Sequence, residues 1–354
     1  MNTTRALAAC CCLATLLAGC RNSPPTMPVD EDPWQAARMP QMTLGSSLSA
    51  IAFSGDRGLA LGLAAGKATT SYMLLERGAN GAWTPATLDD LPNTAVLVDL
   101  AVSPGGIVAG GLAKQGSDTC LVHDERDMLV GNTERPGLGI AAVDGDDALM
   151  VAGGAGYGGV LWTSDTPQVW DIATTPLDPA HEGGFTDVFV GNGEALACGY
   201  DSGAATPQVL LRRQAGDGTW QAMPLGASIA GKTLQCVAAG EDGTMMLGGV
   251  DGSRAFAWKR GTDGIWRSLA LPDGDLIGGV NDVLPAPGGV WYLACGGTGL
   301  ATIIRMDGNT LTRDLKPFVG TVEQLARAAD GTICAVGWTL TEGTGLRKAL
   351  LLER

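Results

Sequence analysis

Histidine is nearly absent: His123 and His181 are the only two in 354 residues. That count excludes a histidine-rich zinc site, and a Ser-His-Asp triad would have to bring one of the two to a serine on a tight elbow. Positive charge is scarce as well, 23 Lys and Arg against 37 Asp and Glu, for a formal net charge of −14. Nucleic-acid phosphates would be repelled before contact formed, so nucleic acid is not expected as a partner. The acidity itself is read as a solubility device. No stretch keeps a 3.6-residue apolar period, which disfavours a helical enzyme. The apolar run Ala6 to Ala18 is too short for a permanent bilayer-spanning helix. Cysteines beyond Cys20 are five, Cys120, Cys198, Cys236, Cys295 and Cys334. An odd number in separate repeats reads as buried thiols acting as small apolar residues rather than as a disulfide framework.

Glycine, in contrast, is abundant, with 53 residues, and much of it lies in turns between short apolar runs. The clearest stretch is Thr233 to Leu271. Leu234 to Ala238 and Thr244 to Gly248 are separated by Gly240-Glu241-Asp242-Gly243, and Ala255 to Lys259 is parted from Trp266 to Leu271 by Gly261-Thr262-Asp263-Gly264. This is hairpin chemistry, and it gives four strands. A four-stranded sheet cannot bury both faces alone, so it needs neighbours of its own kind. They are present. Second strands end at Gly62, Gly110, Gly153, Gly199, Gly248, Gly296 and Gly337, at spacings of 41 to 49 residues. Small residues are expected there because the blades converge. Outer strands begin at Trp83, Trp170, Trp220 and Trp266, with Met128 and Leu311 in the corresponding places. Each tryptophan is expected to cover the outer edge of an inter-blade core and turn its N–H to water. The expected fold is all-β: a seven-bladed propeller of four-stranded antiparallel blades over residues 34–354.

The last repeat runs out at Leu350-Leu351-Leu352-Glu353-Arg354, without an outer strand. The segment from Trp34 to Pro40 closely resembles the outer strand around Trp220. It should therefore complete the seventh blade by pairing with Lys348 to Leu352, with Leu350 and Leu352 inside that ladder and Trp34 semi-buried against it. An open sheet edge would thereby be closed.

On these repeats the chain resembles the bacterial YVTN/WD40-like propellers and, more closely, the BNR or Asp-box propellers. The nearest match is Thr163-Ser164-Asp165 ahead of Trp170, with Pro167 in place of the motif glycine; in Gly216-Asp217-Gly218-Thr219-Trp220 the aspartate is two residues too close to the tryptophan. The resemblance implies the architecture and carries no function over.

At the N-terminus, Arg5 and the apolar run have the build of a secretory signal, and Leu17-Ala18-Gly19-Cys20 resembles the lipobox of bacterial lipoproteins. The resemblance implies a signal peptide over residues 1–19, lipidation of Cys20, and anchoring by two or three acyl chains. Arg21 after the cysteine favours the outer membrane, facing the periplasm, by analogy with the enterobacterial sorting rule. Residues 20–33, the lipidated Cys20 and the proline-rich stretch Arg21 to Pro33, then form an extended tether of roughly 40 Å.

Other patterns resolve structurally. Gly154-x-Gly156-x-x-Gly159 spells a dinucleotide fingerprint, but a strand follows it where a helix is required, so it reads as a hairpin loop. Gly226-Ala227-Ser228-Ile229-Ala230 lacks the last glycine of a nucleophile elbow and reads as a blade connection. Asp56, Asp144, Asp146, Asp147, Glu194, Glu241, Asp242 and Asp330 are expected in turns between first and second strands, too dispersed for calcium. No metal, cofactor or catalytic residue is assigned. The expectation is a monomeric, lipid-anchored binding or scaffold module. Its partner would be an envelope protein, met at the channel mouth or at loops after second strands: Ala64 to Thr70, Ala113 to Asp118, Asp201 to Thr206 and Asp251 to Arg254. A helper in envelope-protein assembly fits. A glycan-binding or glycan-cleaving, sialidase-like propeller is the alternative, and an inhibitor or immunity lipoprotein a further one. Converging arginines with an acidic pair at the channel mouth would favour the glycan-cleaving reading, and an apolar, conformationally fixed face the protein-binding one.

Overall fold

A computed structural model of the chain describes residues 32–65, 70–86, 95–103, 106–113, 119–123, 126–130, 140–146, 149–157, 159–166, 169–178, 180–204, 206–213, 218–226, 229–272, 278–297 and 299–354. Cys20, the leader, the tether up to residue 31, Asp147, Ser228 and the side chains of Cys120 and His123 lie outside the described residues. Residues Trp34–Arg354 form one unit, and among the described residues they contain no α-helix.

After a short strand β1 (Gln35–Ala36), strands follow in groups of four. Blade 1 is β2 (Ser47–Ser54), β3 (Arg57–Ala65), β4 (Thr70–Arg77) and β5 (Trp83–Ala86). Blade 2 is β6 (Ala95–Ser103), β7 (Gly106–Ala113), β8 (Thr119–His123) and β9 (Arg126–Val130). Blade 3 is β10 (Ile140–Gly145), β11 (Met150–Tyr157), β12 (Val160–Thr166) and β13 (Val169–Ile172). Blade 4 is β14 (Glu182–Gly191), β15 (Glu194–Asp201), β16 (Gln208–Arg213) and β17 (Gln221–Ala222). Blade 5 is β18 (Thr233–Ala239), β19 (Met245–Asp251), β20 (Arg254–Arg260) and β21 (Trp266–Leu269). Blade 6 is β22 (Gly279–Ala286), β23 (Val290–Gly296), β24 (Leu300–Asp307) and β25 (Thr310–Arg313). Blade 7 is β26 (Phe318–Arg327), β27 (Ile333–Leu340) and β28 (Arg347–Glu353), with β1 as its outer strand. The turns work as their composition requires: Gly243 and Gly264 sit at φ +76° and +78°, where a side chain would be strained.

The ring is held by seven apolar clusters, one at each blade-to-blade interface. Leu59, Leu74, Leu97 and Leu100 join blades 1 and 2, and Ala101, Ile140, Val143 and Trp162 join blades 2 and 3. Leu161, Phe185 and Leu210 join blades 3 and 4, and Leu196, Val237 and Leu247 join 4 and 5. Met246, Val280 and Leu293 join 5 and 6, Ile303, Val322 and Leu325 join 6 and 7, and Leu351, Val336, Ile51 and Leu75 close 7 onto 1. Every blade buries both faces this way. At about 25 cal/mol per Å² of apolar area, this burial is the main favourable term for the ring.

The glycines that end second strands divide into two groups. A Cβ at Gly110, Gly153, Gly248 or Gly296 would strike the first strand of the next blade, at Ile140, Phe185, Val280 and Thr321 respectively. One at Gly62, Gly199 or Gly337 would instead strike a backbone carbonyl of its own first strand, at Ser47, Gly184 and Thr321. Convergence of blades accounts for the first group only.

β1 closes the seventh blade, with Gln35 opposite Glu353 and Ala36 opposite Leu352. Ala37 N–H donates to Leu351 O at 3.0 Å. The ladder thus falls on Leu351 to Glu353, one turn of the pleat beyond the expected Lys348 to Leu352; Leu350 packs partly buried beside it and Lys348 is exposed. Trp34 is only 5% exposed, so it is a core residue and not semi-buried. It packs edge-on against Tyr292 of blade 6, and its indole N–H donates to Asp314 Oδ2 at 2.7 Å.

The other outer tryptophans behave alike in packing and differently in polarity. Trp83 packs into the cluster between blades 7 and 1 and Trp220 into that between 3 and 4, each against the preceding blade. Their N–H groups do not turn to water. Trp83 Nε1 donates to Glu353 Oε1 at 2.9 Å, and the indole N–H groups of Trp170, Trp220 and Trp266 are enclosed without a partner among the described residues.

Candidate functional site

Each first strand contains a bulge at the same place, at Ser49, Val98, Ala141, Thr186, Gln235, Asn281 and Glu323. A bulge leaves an N–H and a C=O without partners in their own ladder. Side chains of the preceding blade supply them. Asp99 Oδ2 accepts from Val143 N–H at 2.8 Å, Asp187 Oδ2 from Val237 N–H at 2.8 Å and Asp282 Oδ2 from Leu325 N–H at 2.6 Å. Thr186 and Asn281, one residue earlier, donate to Leu234 O at 3.0 Å and Val322 O at 2.8 Å. A Thr-Asp or Asn-Asp pair in one blade therefore caps both orphan groups of the next. Asp144 makes the link from blade 3 to blade 4 in another register, accepting from Val190 N–H at 2.7 Å. It lies inside β10, not in the turn where an acidic crown was expected. Between blades 5 and 6, Cys236 Sγ takes the place and donates to Val280 O at 3.3 Å.

Blade 1 carries Ala50 at this position and has no acceptor to offer. Gln324 holds the same position in blade 7 and serves blade 1 in the usual way, its Oε1 accepting from Ile51 N–H at 2.6 Å. The Leu100 N–H that Ala50 leaves uncapped goes to Asp99 Oδ1 of its own blade at 2.9 Å, an oxygen that Gln324 Nε2 also reaches at 3.3 Å.

These carboxyls line the inner wall of the ring. Asp99 is 8% exposed, while Asp144, Asp187 and Asp282 keep partial exposure along the axis, enclosed rather than sealed. Burial pushes Asp99 and Asp144 up to about 7 and Asp282 up to about 6, against the opposing pull of their backbone hydrogen bonds. Burial also raises Asp187 well above the usual carboxylate range, with repulsion from Asp282 adding to it. Cys198, Cys236, Cys295 and Cys334 are free, buried thiols, and desolvation lifts each of them. They are poor nucleophiles.

Three of the acidic residues expected in turns cap turns: Asp146 accepts from Leu149 N–H, Asp242 from Thr244 N–H and Asp330 from Thr332 N–H, whereas Glu194 opens strand β15. Among the described residues no group of three or more His, Cys, Asp or Glu is placed to hold a metal. His181 lies between Asp201, 3.1 Å from Nδ1, and Asp178, 3.9 Å from Nε2. The glycine fingerprint is not a loop throughout: Gly154 and Gly156 lie within β11, whose last three residues pair with β14, and strand β12 follows from Val160 where the fingerprint needs a helix.

Two surface features stand out, on opposite faces of the ring. On the face where first strands begin and second strands end, Leu300, Val319, Leu340 and Leu346 are exposed. Leu300 pairs with Val319 across β24 and β26, Leu340 follows one residue beyond the Gly320–Thr339 pair, and Leu340 in turn pairs with Arg347. Leu300, Val319 and Leu340 are thus held by ladders, while Leu346 lies in the connection between β27 and β28, its carbonyl accepting from Thr341 N–H at 2.9 Å. Arg347 stacks over the Trp338 ring at 4.2 Å, and Trp338 Nε1 donates to Glu323 Oε1 at 3.1 Å. On the other face, a groove of about 580 Å³ between blades 6 and 7 is lined by Arg305, Arg327, Arg354, Tyr292, Val290 and Ile333, with Phe53 of blade 1 at its rim. No Asp or Glu side chain lines it.

The sequence reading placed neither the inner-wall aspartates nor the arginine groove. The aspartates could have been found as a column, since Val98-Asp99-Leu100, Thr186-Asp187-Val188 and Asn281-Asp282-Val283 share one pattern.

Fold and wall together define the class: a seven-bladed β-propeller closed by its N-terminal strand. Solved propellers match over nearly the whole chain. A structure of streptogramin B lyase is similar at 11% identity and TM-score 0.62, covering 91% of this chain and 97% of that one. YCF48 bound to D1 peptide is similar at 15% identity and TM-score 0.61, covering 92% and 97%. The WD40 propeller domain of Doa1 is similar at 10% identity and TM-score 0.57, covering 90% and 97%. At these identities the likeness is one of fold. No protein-family model matches the chain, and no curated protein does.

Proposed function

We propose that this protein is a lipid-anchored, non-catalytic binding propeller of the cell envelope, docking an envelope protein on the face that carries Leu300, Val319, Leu340 and Leu346. The observation that carries this reading is that apolar row, exposed and with Leu300, Val319 and Leu340 fixed by strand pairing. The strip is an exposed apolar patch on a backbone held by strand pairing, so little backbone entropy remains to be lost on docking, and the Arg347–Trp338 pair beside it is of the residue types enriched in binding hot spots. Inner-wall chemistry supports the same reading. The enclosed aspartates are engaged in backbone hydrogen bonds between blades, which leaves them poorly placed to act on a substrate. The glycan-cleaving alternative called for arginines beside an acidic pair; no Asp or Glu side chain lines the arginine groove. One similar fold, YCF48, was solved with a peptide bound, so a propeller of this shape is compatible with peptide recognition.

The test is affinity purification of the detergent-solubilised protein beside a Val319→Asp/Leu340→Glu variant, with mass spectrometry of co-eluting proteins. A partner retained by the parent and lost from the variant, at unchanged melting temperature, is the expected result. Identical co-eluting sets would overturn this docking face.

A further inference from the structure

We infer that the groove between blades 6 and 7 is a binding site for a small organic oxyanion, a carboxylate or a phosphate monoester carrying an apolar or aromatic body. The groove runs from the ends of the first strands, at Phe53 and Arg327, out to the third strands, at Arg305 and Arg354. Its volume, about 580 Å³, lies within the roughly 300–1,000 Å³ usual for small-molecule sites.

The three guanidinium groups are in different states. Arg354 is fixed: Nη1 donates to Tyr292 Oη at 2.7 Å, Nε lies 2.8 Å from Asp314 Oδ2, and the cation sits 5.3 Å from the Tyr292 ring centre. Asp314 is itself held by the Trp34 indole, so this wall is pre-organised. Arg305 donates through Nη2 to Asp307 at 2.7 Å, but its Nε is enclosed with no partner among the described residues. Arg327 is half-buried at the end of β26 and pairs through its backbone with Ile333, but its guanidinium makes no ion pair or hydrogen bond with any described residue. Arg305 and Arg354 are matched by Asp307 and Asp314, and among the described residues the Arg327 side chain has no carboxylate of its own.

That unengaged guanidinium is what an anion would occupy. A guanidinium presents planar, forked donors that match carboxylate and phosphate oxygens, and such charge-assisted hydrogen bonds are among the strong ones. Arg327 supplies the free fork and the Arg305 Nε–H a further donor. Ala286, Pro287, Val290, Ile333 and Phe53 line the rest, which suits an apolar or aromatic body. The lining offers no Asp or Glu side chain to act as a general acid or base. This is therefore a site for binding, independent of the apolar row on the opposite face.

Isothermal titration calorimetry of the detergent-solubilised full chain tests it, with phenylacetate, phenyl phosphate and the neutral benzyl alcohol as probes. At least one anion should bind saturably at millimolar concentration or below, more weakly as salt is raised, and benzyl alcohol should not. Whichever anion binds more tightly identifies the head group as carboxylate or phosphate. Arg327→Gln should weaken that binding about tenfold or more, as expected for loss of a charge-assisted hydrogen bond. It should leave the melting temperature unchanged, because no partner is lost. Arg327→Lys, which keeps the charge and loses the fork, should fall between the two and replaces the glutamine variant if that one fails to fold. The Val319→Asp/Leu340→Glu variant should bind the anions normally, so failure of the docking face and failure of this site are distinguishable. No saturable binding of either anion, or parent-like affinity in Arg327→Gln, would overturn the inference.

Discussion

At the scale of single residues, the aspartates of the inner wall decide how stability depends on pH. Burial lifts Asp99 and Asp144 to about 7 and Asp282 to about 6, well above an ordinary aspartate at about 3.9. A carboxyl with a raised folded-state pKa holds its proton more tightly folded than unfolded. Its contribution to stability is therefore fully present below about pH 4 and is lost as pH rises through about 6 to 7. The melting temperature should be higher at pH 5 than at pH 8 by several degrees, and Asp99→Asn should flatten that difference because the group no longer titrates. A melting temperature that rises from pH 5 to pH 8 would show that these carboxyls do not dominate. The same residues explain a limit on legibility. Asp99, Asp187 and Asp282 stand eleven, twelve and fourteen residues before Gly110, Gly199 and Gly296. Turns of unequal length and the bulge itself shift the count, so the column has no fixed period along the chain.

At the scale of elements, β1 is two residues long and yet closes the ring. Its neighbours extend the join. Ala37 bonds to Leu351 of blade 7, and Arg38 O accepts from Trp83 N–H of blade 1 at 2.8 Å. One short segment therefore spans the seam between last and first blades. Trp34→Ala should cost about 3 kcal/mol, typical of truncating a core aromatic, and should also free Asp314, which the indole holds beside Arg354. Deleting residues 34–40 should be worse, because it exposes the edge of β28 and invites pairing between molecules. Denaturant melts and size-exclusion profiles report both effects. A deletion variant that melts with the parent's midpoint and remains monodisperse would refute the closure argument.

At the scale of the whole molecule, the closed ring forms two faces at opposite ends of its strands, one bearing the apolar row and the other the arginine groove. The proposed lipid anchor rests on Leu17-Ala18-Gly19-Cys20. Cys20→Ser tests the anchor. The variant should leave the membrane pellet, or stay there uncleaved, and its intact mass should lack the added acyl chains. Unchanged mass and fractionation would refute lipidation.

The repeat itself was legible from the sequence: glycine at intervals of 41 to 49 residues, turn chemistry between apolar runs, and the likeness of the Trp34 segment to the one at Trp220. These are local signals, fixed by backbone conformation within one hairpin or by a side chain's place in a blade, and they recur because each blade meets the same neighbours. The tertiary structure alone decided what happens between blades. The bulges orphan backbone groups that only an adjacent blade can satisfy, so the role of Asp99, Asp187 and Asp282 depends on a neighbour about 45 residues away. Arg305, Arg327 and Arg354 belong to the ends of three strands in two blades, and no spacing announces them. They share a groove because sheets that pack face to face bring strand ends together from distant parts of the chain.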